Sequence, residues 1–372
     1  MRIAQIAPPM ESVPPAYYGG TERVVSYLTE ELVRQGHQVT LFASGDSLTS
    51  AELVPCTVAA LRLTPTVRDP IPYYLIMLDK VRERAEEFDI LHFHIDQFHF
   101  PIFRQIAQRT LTTLHGRQDL PDLQMLYRNF PEMPLVSISN AQREPAPLAG
   151  YVATIYHGIP ADLHTANLNP RGNYLAFLGR ICPEKRVDHA ITIARAAGIP
   201  LKIAAKVDKI DEEYFREKIA PLLNEPGIEF VGEINERAKT AFLGDALALL
   251  FPIDWPEPFG LALIESMACG TPVLAFRRGS VPEIVDEGVT GSIVETPEEA
   301  IKALPGVLSL DRRRVRQRFD ARFSATRMAS DYLALYRSLL EGSLPWAREE
   351  KGLVTQARPG PVNGGRKQTY LD

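Results

Sequence analysis

Two glutamates eight positions apart, Glu257 and Glu265, bound the stretch of this sequence whose residue types are best suited to chemistry. Between them a Pro-Phe-Gly segment leads into an apolar series, which predicts a loop and then a helix that begins near Gly260. A helix N-terminus binds anions, because its unpaired N–H groups and the helix dipole point in the same direction. A carboxylate buried in an apolar helix is costly unless it is paired, and the two hydroxyls of a ribose could pair Glu265. The stretch therefore predicts a site for a ligand that carries an anionic group and hydroxyls.

Two cations on a separate loop could complete such a site. Arg180 ends a predicted strand over 174–180, and Lys185 lies in the loop that follows. Arginine offers phosphate a planar fork and lysine a compact charge, so the pair could neutralise a leaving diphosphate without a metal ion. The sequence has no Asp-x-Asp pair of the kind that would hold Mg²⁺ at a diphosphate. We therefore expect neither a metal site nor a cofactor.

A purely structural role for the two acids is the alternative. Glu257 could cap the helix, and Glu265 could pair with a structural arginine. Their spacing alone does not decide, because helices with acids at this spacing are common. The combined pattern favours the ligand site: a strand that ends in Gly179-Arg180, a lysine five residues later, and the acid-Pro-Phe-Gly-acid element between the apolar segments 246–253 and 271–276.

A glycine pair, Gly19-Gly20, marks the start of the first helix. A buried strand is predicted over 3–7, the helix over 22–35 and the next strand over 39–43. Glycine at a helix N-terminus allows an anion or a sugar to approach the backbone closely, although a simple turn is the bland alternative. Because no G-x-G-x-x-G motif is present, a dinucleotide site is not supported.

Short apolar strands continue to alternate with helices along the chain. Those predicted over 90–94, 111–114, 135–138 and 153–156 belong with the first strand, and a second series begins after a polar link at 165–173. This alternation predicts parallel sheets, in which ligands bind at the carboxyl ends of the strands. The polar residues predicted at that rim of the first sheet are His94, Asp96, His115, Gly116 and Ser139. For each of these residues an ordinary structural role in a loop is favoured, except for His115, for which a structural role and a role in the site are equally supported.

The bulk properties fit a two-domain α/β protein of 372 residues. A net charge of −5 argues against nucleic acid as a partner and gives no indication of membrane contact. Three scattered cysteines show neither metal nor disulfide spacing, and the N-terminus has too short an apolar run for a signal peptide. These features favour a cytoplasmic location.

These residues resemble the motifs of the retaining glycosyltransferases of family 4. The segment from Glu257 through Glu265 matches the family's E-x7-E motif, and the segments 268–273 and 288–291 after it match as well. The elements that carry Arg180 and Lys185 also match, as do the Gly19-Gly20 helix start and the segment 36–39. The resemblance covers residues 1 to about 340. It implies a GT-B architecture, in which two Rossmann-like α/β domains face each other across a cleft.

The resemblance also implies the domain boundaries. The N-terminal, acceptor-side domain is expected over 1–164 and the nucleotide-sugar-binding domain over 165–325, with a helix at about 326–341 that crosses back to the first domain. Residues 342–372 lose periodicity and are expected to be a flexible tail. The arginine cluster at 312–318 is expected to be a solvated helical face.

Roles for individual residues follow from the matching positions. Arg180 and Lys185 are expected to bind the donor diphosphate, and Glu265 its ribose. The transferred sugar is expected to contact Glu257 and His115, and these two residues with the two cations form the implied catalytic set. The implied donor site as a whole consists of Gly19, Gly20, Arg180, Lys185, Val231, Glu257, Phe259, Gly260, Leu261 and Glu265, with the nucleotide base near Val231.

The expected function is metal-independent transfer of a sugar from a UDP-linked donor to an acceptor hydroxyl, with retention at the anomeric carbon. A sugar-nucleotide epimerase or hydrolase of the same architecture and a catalytically silent sugar-nucleotide-binding protein are the alternatives. The acceptor is not indicated. Two departures from the family pattern are present: 157–160 reads His-Gly-Ile-Pro where Asn-Gly-Ile/Val-Asp is common, and Arg186 stands where glycine often follows the lysine.

Overall fold

The computed structural model describes residues 1–16 and 19–343. Within them the chain forms two parallel sheets, one from each half of the sequence. The strands are short apolar runs, mostly buried, as parallel sheets covered by helices require. The strands of the first sheet are β1 (Arg2–Ile6), β2 (Gln38–Ser44), β3 (Glu52–Thr57), β4 (Ile90–Phe93), β5 (Thr110–Thr113), β6 (Leu135–Ser137) and β7 (Tyr151–Thr154). The helices between them are α1 (Gly20–Arg34), α2 (Ile71–Glu83), α3 (Phe100–Phe103), α4 (Pro121–Asn129) and α5 (Asn140–Arg143).

The second half of the chain repeats the same alternation. Its strands are β8 (Leu175–Arg180), β9 (Leu201–Lys206), β10 (Ile228–Gly232), β11 (Ala248–Phe251), β12 (Val273–Phe276) and β13 (Gly291–Val294). Its helices are α6 (Val187–Ala197), α7 (Glu212–Tyr214), α8 (Glu236–Gly244), α9 (Leu261–Ala268), α10 (Val281–Ile284), α11 (Pro297–Leu308), α12 (Arg312–Arg322) and α13 (Ala325–Leu340).

Both sheets have the strand order of doubly wound folds. The first runs β3-β2-β1-β4-β5-β6-β7 and the second β10-β9-β8-β11-β12-β13. The order reverses beside β1 in the first sheet, where Ile3 pairs with both Val39 and Ile90, and beside β8 in the second. Ligands of such sheets bind in the crevice beyond the carboxyl ends of the strands at this reversal point. The predicted fold class, two Rossmann-like domains in a GT-B arrangement, is confirmed.

The last helix, α13, packs against the first sheet although it follows the second one in the chain. Its apolar face, with Met328, Tyr332 and Tyr336, shares a core with Ile3 and Leu28. A backbone bridge between Ile159 and Ser324 lies where the two crossings between the domains pass each other. No helix in the described segments is long and apolar enough to cross a bilayer.

Several local expectations were wrong. The sequence predicts one helix over 213–223, but this segment is broken: α7 continues as a π-helical turn over Phe215–Ile219 and a 3-10 turn over Ala220–Asn224, because Pro221 has no N–H to continue the helical bonds. The edge strands β3 and β13 were not predicted from the sequence, and β3 has one buried residue, Cys56. All but the first two residues of the expected tail lie outside the described segments.

The arginine cluster on α12 is only partly a solvated face, which corrects the sequence-based expectation. Arg312 is buried, and its guanidinium donates to the carbonyls of Gly244 and Ala246 at 2.8 and 2.9 Å. Arg316 donates to the carbonyls of His164 and Ala268, each at 2.7 Å. These arginines satisfy carbonyl groups at the ends of neighbouring segments and so fasten α12 to the second domain.

Candidate functional site

A cavity of about 520 Å³ lies between the carboxyl ends of the two sheets and has walls from both domains. It brings together almost every residue of the site expected from the sequence. Those that line it are Gly19, Gly20, His115, Arg180, Lys185, Glu257, Phe259, Gly260, Leu261 and Glu265. Val231 is not among the lining residues and is 41% exposed on β10, whereas Glu233 and Ile234, just beyond that strand, do line the cavity.

Two helix N-termini point into this cavity from opposite domains. The helix α9 begins after Gly260, whose φ of 88° is in the left-handed region, and no side chain caps it. The helix α1 begins after Gly19, also without a side-chain cap. A Cβ built on Gly20 would lie 3.6 Å from Cδ1 of Leu261, so the two helix ends face each other closely. Both ends offer backbone N–H groups to an anion in the cleft.

The two residues expected to contact different parts of a donor, Lys185 and Glu257, instead pair with each other. The Lys185 ammonium donates to Oε2 of Glu257, which also accepts a 3.0 Å bond from Nε1 of Trp255. The Lys185 nitrogen lies 5.1 Å from the Trp255 ring centroid and 5.5 Å from that of Phe251. The loop before α9 is therefore tied to the loop after β8, and each charge is held at the cavity wall.

Arg180, at the end of β8, stands among acids of the loop after β9. Its guanidinium lies 3.5 Å from carboxylate oxygens of both Asp208 and Asp211. About a third of its side chain remains exposed. These distances are long for charge-assisted hydrogen bonds, so the arginine can exchange them for a stronger anionic ligand in the cavity.

Glu265, buried within α9, forms an ion pair that was not expected from the sequence. Its Oε1 accepts a 2.7 Å bond from Nζ of Lys239 on α8. Lys239 also lies 3.3 Å from Glu236, and Glu236 pairs in turn with Arg23 of the first domain. Although burial opposes ionisation, Lys239 and Arg23 hold the pKa of the Glu265 carboxyl below its usual range. A ribose diol would thus find one oxygen of Glu265 already engaged, which differs from the expectation that it would satisfy both.

The same network contains a group of side chains with metal-ligand atoms. Nitrogen or oxygen atoms of His164, Glu236 and Glu265 all lie within 4.8 Å of one another. Burial lowers the pKa of His164 to about 4, so this ring is neutral at physiological pH. Lys239 and Arg23 already neutralise the two carboxylates, however. The donor set therefore does not fit a divalent cation well, because the cation would have to share the space with two positive side chains.

His115 belongs to a chain of buried histidines at the first-domain wall. His94 Nε2 lies 2.8 Å from the amide oxygen of Gln5, so this nitrogen carries the proton, and His94 Nδ1 accepts from Nε2 of His115 at 2.9 Å. Burial lowers the pKa of His115 to about 3, so the ring is neutral. This arrangement leaves Nδ1 of His115 unprotonated, as a hydrogen-bond acceptor.

His157, the first of the departures from the family pattern, connects this chain to the donor loop. Its ring stacks on that of His115, with centroids 5.2 Å apart, and meets the Phe259 ring edge-on at 4.8 Å. At the second departure, Arg186 adopts a left-handed φ of 49° and pairs with Asp188 at 2.9 Å. His157 lines the cavity, whereas Arg186 is not among its lining residues.

Glu22 is a further acid at the cavity that sequence patterns did not single out. It lies in the first turn of α1, is 6% exposed and lines the cavity. Burial raises the pKa of its carboxyl to about 7. The sequence carried a weak signal, because an acid in the first turn of a helix is ordinary; only its burial at the cleft distinguishes it.

Two family models match the chain. The model for "Glycosyl transferases group 1" matches residues 161–322, and that for "Glycosyltransferase Family 4" matches residues 18–198. Each covers less than half of the chain, and together they extend over both domains. The matched ranges include the loops that carry Arg180, Lys185 and Glu257.

Known proteins of similar length resemble this chain along most of it. N-acetyl-alpha-D-glucosaminyl L-malate synthase of Bacillus anthracis is 25% identical over 367 residues, which cover 87% of this chain and 94% of that protein. The structure of sucrose-phosphate synthase from Thermosynechococcus elongatus has a TM-score of 0.71 at 20% identity and covers 92% of this chain and 99% of its own. Anabaena Alr3699/HepE in complex with UDP and glucose has a TM-score of 0.68 at 18% identity, with 91% and 100% covered. The family models and these similar proteins agree with the observed fold, and they show that this chain is related to the glycosyltransferases with GT-B architecture.

Proposed function

We propose that the protein transfers a hexosyl group from a UDP-sugar to an acceptor hydroxyl, with retention at the anomeric carbon and without a metal ion. The observation that carries this proposal is the meeting of three features in one interdomain cavity. These are the cations Arg180 and Lys185, the uncapped N-terminus of α9, and the buried acid Glu265. A nucleoside diphosphate sugar has a matching group for each of them.

The diphosphate is assigned to the space between Arg180, Lys185 and the first N–H groups of α9. An anion there would draw the Lys185 ammonium from Glu257, because phosphate offers it a stronger charge. Glu257 would then be released to accept hydroxyls of the transferred sugar. The oxygen of Glu265 that Lys239 does not occupy would bind the ribose, and the base would lie toward Glu233 and Ile234.

The sugar to be transferred is assigned to the space between Glu257, the start of α9 and His115. The bond between the anomeric carbon and the phosphate oxygen breaks, and a bond from that carbon to the acceptor oxygen forms on the same face. The acceptor's proton passes to the departing phosphate oxygen, so no separate nucleophilic carboxylate is needed. The side-chain cations supply the positive charge that a metal would otherwise bring to the leaving diphosphate.

The choice of UDP rests on a comparison rather than on the cavity. A structural neighbour has been crystallised with UDP and glucose.

Calorimetric titration of UDP in the presence of EDTA tests the proposal. We expect UDP to bind the unaltered protein, and Arg180→Ala or Lys185→Ala to weaken it by about tenfold or more. Arg195→Ala is the matched control, since Arg195 pairs with Glu225 outside the cavity. Equal affinity in all four proteins would refute the diphosphate assignment. An absolute requirement for a divalent ion, in binding or in turnover of UDP-glucose, would refute the metal-free mechanism.

A further inference from the structure

A second cavity, of about 210 Å³, adjoins the first one and lies wholly in the first domain. Its wall is formed by Pro8, Thr21, Tyr74, His94, Ile95, Asp96, Phe98, His115 and Gly116. Thr21, His115 and Gly116 line both cavities. The two spaces are therefore neighbours that meet at His115.

The second cavity lies where an acceptor would have to approach the transferred sugar, an argument that rests on the proposed function. If the transferred sugar lies against His115, the acceptor hydroxyl must approach the anomeric carbon from beside that residue. The second cavity is the space that adjoins His115 on the first-domain side. An acceptor bound there would reach the sugar without crossing the diphosphate site.

Asp96 is built into this cavity in an unusual way. Its φ of 52° is in the left-handed region, which is uncommon for residues other than glycine, although aspartate enters it more readily than most. Its side chain is exposed to the cavity, and no hydrogen bond or ion pair joins it to the described residues. A carboxylate held in this way offers two oxygens to the hydroxyls of a ligand.

An aromatic surface stands beside that carboxylate. The rings of Tyr74 and Phe98 stack with centroids 4.8 Å apart and planes 16° apart. Tyr74 is buried and supports Phe98, which is 46% exposed. A flat apolar surface next to an acceptor of hydrogen bonds suits a ring that has C–H groups on one face and hydroxyls at its edge.

The charge of the cavity wall restricts the ligand further. Asp96 is the one acid among the described lining residues, and no lysine or arginine stands among them. His94 and His115 contribute no charge, because burial keeps their pKa values far below 7. The nearby Arg62 pairs with Glu11 at 3.1 Å. A phosphate or carboxylate on the ligand would meet the Asp96 side chain and no cationic side chain among these lining residues.

We propose that this cavity is the acceptor site and that the acceptor is a neutral polyhydroxylated ring, a pyranose or a cyclitol. The ring's apolar face lies on Phe98, and one of its hydroxyls donates to Asp96. Acids and sugar phosphates are excluded as the group that enters this cavity.

Saturation-transfer NMR with small probes tests this assignment, with and without saturating UDP. The neutral probes are methyl α-D-glucopyranoside, its galactose and mannose counterparts, and myo-inositol; the anionic probes are D-glucose 6-phosphate and L-malate. At least one neutral probe should bind, with its ring C–H protons receiving the strongest transfer. Asp96→Ala and Phe98→Ala should each weaken that binding by about tenfold or more while UDP affinity stays unchanged.

The matched controls are Glu83→Ala, an exposed acid on the helix that carries Tyr74, and Met125→Ala, an exposed apolar residue outside both cavities. Both should bind the probes as the unaltered protein does. Three results would each overturn the acceptor assignment. They are no binding of any neutral probe, binding that is the same in both cavity variants as in the unaltered protein, and tighter binding of an anionic probe than of the neutral ones. Loss of UDP binding would count against the proposed donor site instead, and the measurements without UDP keep the two failures apart.

Discussion

The ammonium nitrogen of Lys239 lies 2.7 Å from Oε1 of Glu265, and both side chains are buried. This pair explains how an acid is tolerated inside the apolar helix α9. It also links the site to the first domain, because Glu236 lies between Lys239 and Arg23 of α1. The carboxylate expected to bind a ribose is thus held by a network that spans the cleft.

Breaking this pair from the lysine side should be strongly destabilising. Lys239→Met leaves Glu265 ionised and partly unpaired in a buried position, which we expect to lower the free energy of unfolding by about 3 kcal/mol. Adding Glu265→Leu removes the unpaired charge and should restore most of that loss. Urea unfolding of the single and double variants measures both effects, and Lys218→Met, at an exposed lysine, is the control.

Stability and UDP affinity should respond differently in the double variant. The double variant should recover stability but not UDP affinity, because the ribose would have lost its acceptor oxygen. A double variant that binds UDP as tightly as the unaltered protein would show that Glu265 has only a structural role.

The sequence was informative where function depends on strand ends and helix starts. Alternating apolar runs predicted two parallel sheets, and the carboxyl end of β8 and the start of α9 followed from Arg180 and Gly260 directly. Side chains that pair across the fold from distant parts of the chain could not be predicted from the sequence. Lys239 precedes Glu265 by 26 positions and lies on another helix, so no periodicity relates them. Asp96 likewise gives no sign in the sequence of its left-handed backbone.

Charge patterns were interpreted less well than apolar patterns. The arginines of α12 looked like a solvated face because five of them lie within seven residues. Arg312 is buried because three backbone carbonyls, of Asn167, Gly244 and Ala246, converge on its guanidinium. Only the packed fold brings those carbonyls together, so composition could not reveal them.

The ion pair between Lys185 and Glu257 predicts opposite effects of its two members on UDP binding. Lys185→Met should weaken UDP by about tenfold, because a phosphate contact is lost. Glu257→Gln should leave UDP affinity equal or higher, since Lys185 no longer has a competing carboxylate. The same variant should slow sugar transfer by about a hundredfold. Calorimetry and a turnover assay separate the two quantities.

The outcome that would contradict this interpretation is equal loss of UDP affinity in both variants. It would mean that the pair acts as one structural unit and does not open for the diphosphate. Glu213→Gln, an exposed acid of the second domain, controls for a general change in charge.

Gly279 should be needed for the shape of the donor loop. A Cβ at this position would lie 2.3 Å from the carbonyl oxygen and 2.5 Å from the backbone nitrogen of Glu257. The φ of Gly279 is 52°, in the left-handed region. Gly279→Ala should therefore displace the loop and slow transfer by about a hundredfold. Gly288→Ala is a close control, because Gly288 has a φ of 69° but no neighbouring atoms within 4 Å.

Both glycine variants should lose about 1 kcal/mol of stability from the left-handed backbone alone. Thermal unfolding measures that shared part, and the turnover assay measures what is specific to Gly279. Equal turnover in the two variants would show that the loop can adjust without loss of function.

Glu22 should make both stability and UDP binding depend on pH near neutrality. Its carboxyl has a pKa of about 7 when folded, against an ordinary value of 4.5. Between these values the folded protein holds a proton that the unfolded chain has released, so stability falls as the pH rises from 4.5 to 7 and is then constant. The total loss is about 3 kcal/mol. Glu22→Gln should abolish this component, so that the variant is the more stable protein at pH 8 and equal to the unaltered one at pH 4.5.

The same carboxylate faces the cavity, where its charge above pH 7 would oppose a diphosphate. UDP should therefore bind Glu22→Gln more tightly than the unaltered protein at pH 8, and equally at pH 5.5. Taking the difference between the two proteins cancels the opposite contribution of the buried histidines, whose low pKa values reduce stability as the pH falls below 6.5. Parallel pH profiles in the two proteins, for stability and for UDP affinity, would contradict the raised pKa of the Glu22 carboxyl.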